Sequence, residues 1–115
     1  MKYYQGETVN FTVELDGANV SDFDYIDVYL YTEKSSTFKF TTYDDKLSGI
    51  GYFPISKISG TMLQGRINSA MTAQMLGVLW LEIRCVRNDM PVFVKRMQTD
   101  MAICKTTIKN EDYYG

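Results

Sequence analysis

The stretch Val78 to Arg87, VLWLEIRCVR, holds branched and aromatic side chains without Gly or Pro, the composition of a central β-strand. Alternation divides it into two faces, with Leu79, Leu81, Ile83 and Cys85 on one and Trp80, Glu82 and Arg84 on the other. A strand that is apolar on one face needs a second layer to bury that face, so the remaining segments are read for what could supply it.

Thr8 to Leu15 alternates strictly, with Val9, Phe11, Val13 and Leu15 on its apolar side, and Asp16-Gly17 gives a turn. In the next strand Ile26, Val28 and Leu30 alternate with Tyr25, Asp27, Tyr29 and Tyr31. Lys34 to Ser36 reads as a loop, Thr37 to Tyr43 as a third strand with Phe38 and Phe40 on one side, and Asp44 to Ser48 as a turn. Between Gly49 and Lys57, Pro54 removes a ladder donor, so any strand there is short or at an edge. Thr61 to Asn68 extends again. Ser69 is the expected N-cap of a short helix over Ala70–Leu76, with Gly77 just past its end.

A turn at Asn88 and Asp89 sends PVFVKRMQ back along the central strand, which sets Glu82 opposite Lys95, Trp80 opposite Met97 and Cys85 opposite Val92. Apolar parity shifts after Val94, the mark of a bulge or a change of sheet, and strand character continues through Ile103 toward Ile108. In that register Cys104 lies about 40 Å beyond Cys85 along the strand, at ~3.3 Å per residue, so both thiols are expected free and buried. The fold class expected is all-β: a two-sheet antiparallel sandwich, Ig-like in order, with one short helix near residues 70–76. With 115 residues and no linker, the chain reads as a single domain over 1–115, with ends 1–6 and 109–115 frayed.

Composition narrows the function classes. A net charge of −2 and a pI near 5.0 offer no field for a phosphate backbone, so nucleic acid is not expected as a partner. No apolar run spans a membrane, and MKYYQGET lacks a secretory core, so a chain starting at this Met folds in a cytoplasm. The absence of His removes the usual general base and the commonest metal ligand. Asp22, Asp24 and Asp27, like Asp44 and Asp45, lack the calcium-loop pattern and read as solvated charges. The glycines at 49, 51, 60 and 65 do not have phosphate-loop spacing. No catalytic, cofactor-binding or metal residues are assigned, and no cofactor is expected.

The informative signal is the face opposite the core. If Ile26, Val28 and Leu30 point inward, Tyr25, Tyr29 and Tyr31 stand outside, and Trp80 joins them from the central strand. Tyr and Trp give large contact area at small entropic cost, which makes these four residues the candidate partner surface. Two other arrangements fit the same alternation: the rings lie under a loop or the short helix, or Trp80 is itself the core residue.

The stretch YYQGETVNFTVELDGANVSDFDYIDVYLYT resembles the N-terminal β-sandwich domains of phage upper-baseplate proteins and related tail and virion proteins. Tyr4, Gly6, Glu7 and Thr8, the strand to Leu15, the Asp16-Gly17 turn and Ile26 to Leu30 carry the likeness. TAQMLGVLWLEIRC, with its Leu-Gly step and the Glu82-Ile83 pair, is similar to the closing pattern of such domains. Together these take in about forty of the 115 residues, and both patterns occur in unrelated sandwiches. The Met-rich helical segment departs from the pattern. The resemblance implies a non-enzymatic structural protein, made in the bacterial host cytoplasm and located in the virion, that assembles as a homo-oligomer and with other virion proteins. The competing expectation is a bacterial carbohydrate-binding or adhesin module whose outer tyrosines stack on sugar rings.

Overall fold

The computed structural model describes residues 1–49 and 51–105. The apolar stretch at Val78 forms the long strand β8 (Gly77–Arg87), with β3 (Tyr25–Tyr31) on one side and β9 (Met90–Cys104) on the other, both antiparallel to it. β1 (Lys2–Tyr4), β4 (Phe38–Thr41) and β5 (Tyr52–Pro54) complete a six-stranded sheet of order β1-β9-β8-β3-β4-β5. A second, three-stranded sheet of order β2-β7-β6 is built from β2 (Val9–Glu14), β6 (Ser56–Lys57) and β7 (Met62–Ile67). The expected all-β class holds. Pairing is not purely antiparallel, however, because β1 runs parallel to β9 and β4 parallel to β5. The second of these follows from the crossover through residues 42–51, long enough to reverse the chain and carrying the one-turn helix α1 (Asp44–Leu47) where a simple turn was expected. Lys2–Tyr4, expected to fray, is held by its pairing with Ala102–Cys104. The expected frayed end at 109–115 lies outside the described residues.

The two sheets share one core, in which Val9, Phe11 and Val13 of β2, Leu15 just past its end, and Leu63 and Ile67 of β7 meet Ile26, Val28, Leu30, Phe40, Leu79, Leu81 and Ile83. Each fully buried aliphatic side chain contributes roughly 1.5–3 kcal/mol, so these strand faces carry the stability. Phe11 meets Phe40 edge-on, with ring centroids 5.2 Å apart. Gly65, paired with Phe11, leaves room for that ring.

The short helix α2 (Ser69–Thr72) is capped by Asn68, whose Oδ1 accepts from Met71 N at 2.9 Å, one residue before the expected Ser69. Thr72 Oγ1 donates to Glu7 O at 2.7 Å and accepts from Gly6 N at 3.0 Å, fixing the lead into β2. Met71 and Met75 are buried, closing one end of the core.

The β8–β9 hairpin turns at Asn88 and Asp89, with φ of 54° and 61°. This is the left-handed pair of a type I′ turn. An irregularity near Val92 moves the register by one residue from the expected pairing, so Glu82 faces Arg96, Trp80 faces Gln98 and Cys85 faces Phe93. A second one at Thr99–Met101 is tied by Thr99 Oγ1, which donates to Leu79 O at 2.7 Å. Cys85 and Cys104 are free thiols; Cys85 is buried and Cys104, expected to be so too, is half-buried.

A Cβ at position 65 would lie 2.5 Å from Phe11 Cζ. Gly65→Ala should therefore cost about 1–3 kcal/mol in urea unfolding, with part returned by Phe11→Leu in the same chain. Gly60→Ala, whose Cβ would meet only Asn19 Oδ1 at 3.5 Å, should stay within about 0.5 kcal/mol of the parent. Equal midpoints for the two alanine variants would contradict the packing described.

Candidate protein interface on the outer sheet face

Alternation along β3 and β8 turns Tyr25, Tyr29, Tyr31 and Trp80 away from the core, and pairing sets Tyr31 opposite Trp80 and Tyr29 opposite Glu82. All four are half-buried, so Trp80 is not a core residue. They divide into two groups according to what lies on their rings.

The first group surrounds Asp27. That residue is 3 % exposed, which corrects the expectation of a solvated charge; Asp22 and Asp24 are exposed, as expected. Alternation placed Asp27 on the outer face correctly, but the crossover through α1 brings Lys46 onto it, with Nζ donating to Asp27 Oδ2 at 2.6 Å. Asp27 Oδ1 is buried without a hydrogen-bond partner. Lys46 also lies 4.3 Å from the Tyr25 ring and 5.0 Å from that of Tyr52, while Tyr43 stacks on Tyr25 at 4.9 Å. Burial works against the charge on Lys46, but the hydrogen bond and charge of Asp27 outweigh it and raise its pKa. Burial, together with a hydrogen bond to Tyr52, pushes the Tyr29 phenol up to about 12. Tyr25 and Tyr29 are thus partly committed to their own fold, as in the arrangement with rings under a loop.

The second group is freer. Arg96 of β9 places its guanidinium 5.4 Å from the Tyr31 ring and 5.5 Å from the Trp80 ring. Beside it, Arg84 lies 5.0 Å from the Tyr29 ring and donates from Nε to Glu82 Oε2 at 2.7 Å. The patch runs onto the exposed outer side of β9, where Val94 is 53 % exposed. Arg96 was not among the expected site residues, because its place over the two rings depends on the shifted hairpin register. No cluster of metal-ligating side chains occurs among the described residues, and no helix there is long and apolar enough to cross a membrane. Comparison with protein-family models and with curated protein sequences returned no match.

Removing Lys46 leaves the Asp27 carboxylate buried and uncompensated. Lys46→Met should cost about 3 kcal/mol in urea unfolding, with most of it returned when Asp27→Asn is added; an additive pair would contradict the coupling. Lys46 and Tyr29 both hold their protons more tightly folded than unfolded, so their stabilisation is complete below about pH 10 and lost as pH rises through the folded values. Between about pH 10 and 12 the urea midpoint should fall less steeply for Tyr29→Phe than for the parent. Parallel curves would rule out a tyrosine held up by its surroundings.

Proposed function

We propose that this domain is a non-enzymatic structural protein of a phage virion or tail that assembles through the outer face of its six-stranded sheet. The observation that carries the assembly reading is the patch of Tyr31, Trp80 and Arg96, which joins two half-exposed rings and a guanidinium at the side of a sheet whose last long strand is exposed. Tyr, Trp and Arg are the side chains that dominate the energetics of protein interfaces. The resemblance of the stretch from Tyr3 to Thr32, which includes β2 and β3, to baseplate and virion domains supports the viral setting.

The strand order supports an Ig-like reading of variable type. In that reading β2-β7-β6 would correspond to strands B, E and D and β9-β8-β3-β4 to G, F, C and C′, while β5, parallel to β4, departs from an antiparallel C″. The first strand lies on β9 instead of beside β2. The carbohydrate alternative needs open tyrosine faces for sugar stacking, and Arg84 and Arg96 lie close to the Tyr29 and Tyr31 rings.

Sedimentation of the purified chain, alone and with virion proteins, should show concentration-dependent association. Arg96→Glu should weaken it tenfold or more, about 1.4 kcal/mol, while the lost ring contacts and the new Glu82 neighbour lower the stability of the monomer by only about 1–2 kcal/mol and leave it folded. The single Trp makes iodide quenching specific: Trp80 should be quenched in the monomer and protected on assembly. Strictly monomeric behaviour in both settings, or glycan binding abolished by Tyr29→Ala and Tyr31→Ala, would overturn this reading.

A further inference from the structure

Phe93, Lys95 and Met97 of β9 stand opposite Cys85, Ile83 and Leu81. Residues directly opposite in a ladder share a face, so these three point to the core side of the six-stranded sheet. Their partners are buried, yet Phe93 is 42 % and Met97 41 % exposed. Among the described residues the second layer stops at β2, which hydrogen-bonds only to β7, and β9 is paired on its far side only where β1 meets Ala102–Cys104. Between these two free edges lies a cleft of about 780 Å³ lined by Val13, Leu15, Leu81, Phe93, Lys95 and Met97 among others. Strands lie about 4.8 Å apart within a sheet and sheets about 10 Å apart, so one strand added beside β2 lies over β9 and covers Phe93 and Met97.

We infer that this cleft takes a single extended strand from another protein, hydrogen-bonded to the free edge of β2, with apolar, acidic and apolar residues at alternate inward positions. The apolar residues match Phe93 and Met97. The acid matches Lys95, which lies between them in the strand and holds no ion pair among the described residues. Glu14 and Asp16 on the β2 side and Asp100 on the β9 side also line the cleft, which favours Thr or Lys at the remaining positions of the guest. The chain's own Tyr25–Tyr29 stretch has the aromatic, acidic, aromatic pattern, but it is hydrogen-bonded on both sides as β3 and is not free to be donated. With that stretch excluded as a donor, the proposed guest is a strand of another protein, joined by addition to an exposed edge. This deepens the assembly reading by naming the partner class for the second exposed surface, and it uses different residues from the Trp80 patch.

The test uses the full chain and a fluorescein-labelled synthetic peptide, Thr-Val-Lys-Glu-Thr-Ile-Lys, with a second peptide carrying Lys in place of Glu. Polarisation should show saturable binding of the first peptide, and hydrogen exchange should show new protection in β2. Lys95→Glu should weaken the first peptide about tenfold and reverse the preference toward the second. Arg96→Glu, which alters the outer patch, should leave peptide binding unchanged, so loss of self-association and loss of strand binding are separately readable. Absence of saturable binding at millimolar peptide, binding without protection of β2, or indifference to the Lys95 exchange would each overturn the inference.

Discussion

Three strands cannot cover six. At about 4.8 Å between neighbours, the six-stranded sheet is about 24 Å wide and the three-stranded one about 10 Å, so less than half of the larger inner face lies under the smaller layer. Where the cover falls is fixed by connectivity. β5 passes into β6 through Ile55 alone, which holds the second layer to the β5 side. From there β7 and β2 follow inward, and the layer ends beneath β3 and β8, where Ile26, Val28, Leu30 and Leu79 are sealed. The shortage therefore falls on β9, not on both flanks equally. The exposure of Phe93 and Met97 on the inner face is a consequence of that one connection.

The outer face meets a different constraint. A carboxylate at Asp27 is buried there, and burial of an ion costs several kcal/mol unless it is paired. Lys46 supplies the pair, and holding Lys46 in place requires the whole crossover, with Tyr43 and Tyr52 laid across the sheet. Lys39, Lys46, Arg84 and Arg96 each approach an aromatic ring, at about 0.5–1 kcal/mol apiece for partly exposed sites. The larger effect is on order: rings and guanidinium groups already held in one arrangement lose little side-chain freedom when a partner arrives.

The strands whose alternation could be read correctly, β2, β3 and β8, have one face under the second layer and the other turned outward. Val9, Ile26 and Leu79 announce their burial because Asn10, Asp27 and Trp80 interrupt them. That same signal says which way a side chain points and not what comes to lie over it, which is why Asp27 read as solvated. The piece that covers it, Asp44–Leu47, looks like a polar turn because its function is carried by one Lys reaching a residue nineteen positions earlier. Register was legible to within one residue. Asn88 and Asp89 fixed the turn, but the extra residue near Val92 has no distinctive composition, and Arg96 escaped notice as a result. The parallel pairing of Lys2–Tyr4 depends on where β9 runs, which local pattern does not encode.

β9 is the strand where pattern and burial part most clearly. Val92, Phe93 and Val94 are apolar at consecutive positions, the signature of a strand covered on both faces, and yet all three are exposed. Such an edge is a template for indiscriminate pairing between copies. Lys95 and Arg96 follow at once, one on each face, so neither face offers an uninterrupted apolar row to an identical strand. The strand combines apolar area, which favours being covered, with cations that penalise some covers and reward others. A cover carrying acid opposite Lys95 gains where a basic one loses, and the difference between the two, more than the apolar area itself, confers selectivity. Selectivity of that kind is what a small domain with two exposed surfaces needs if its outer face is to meet one neighbour and its open cleft another.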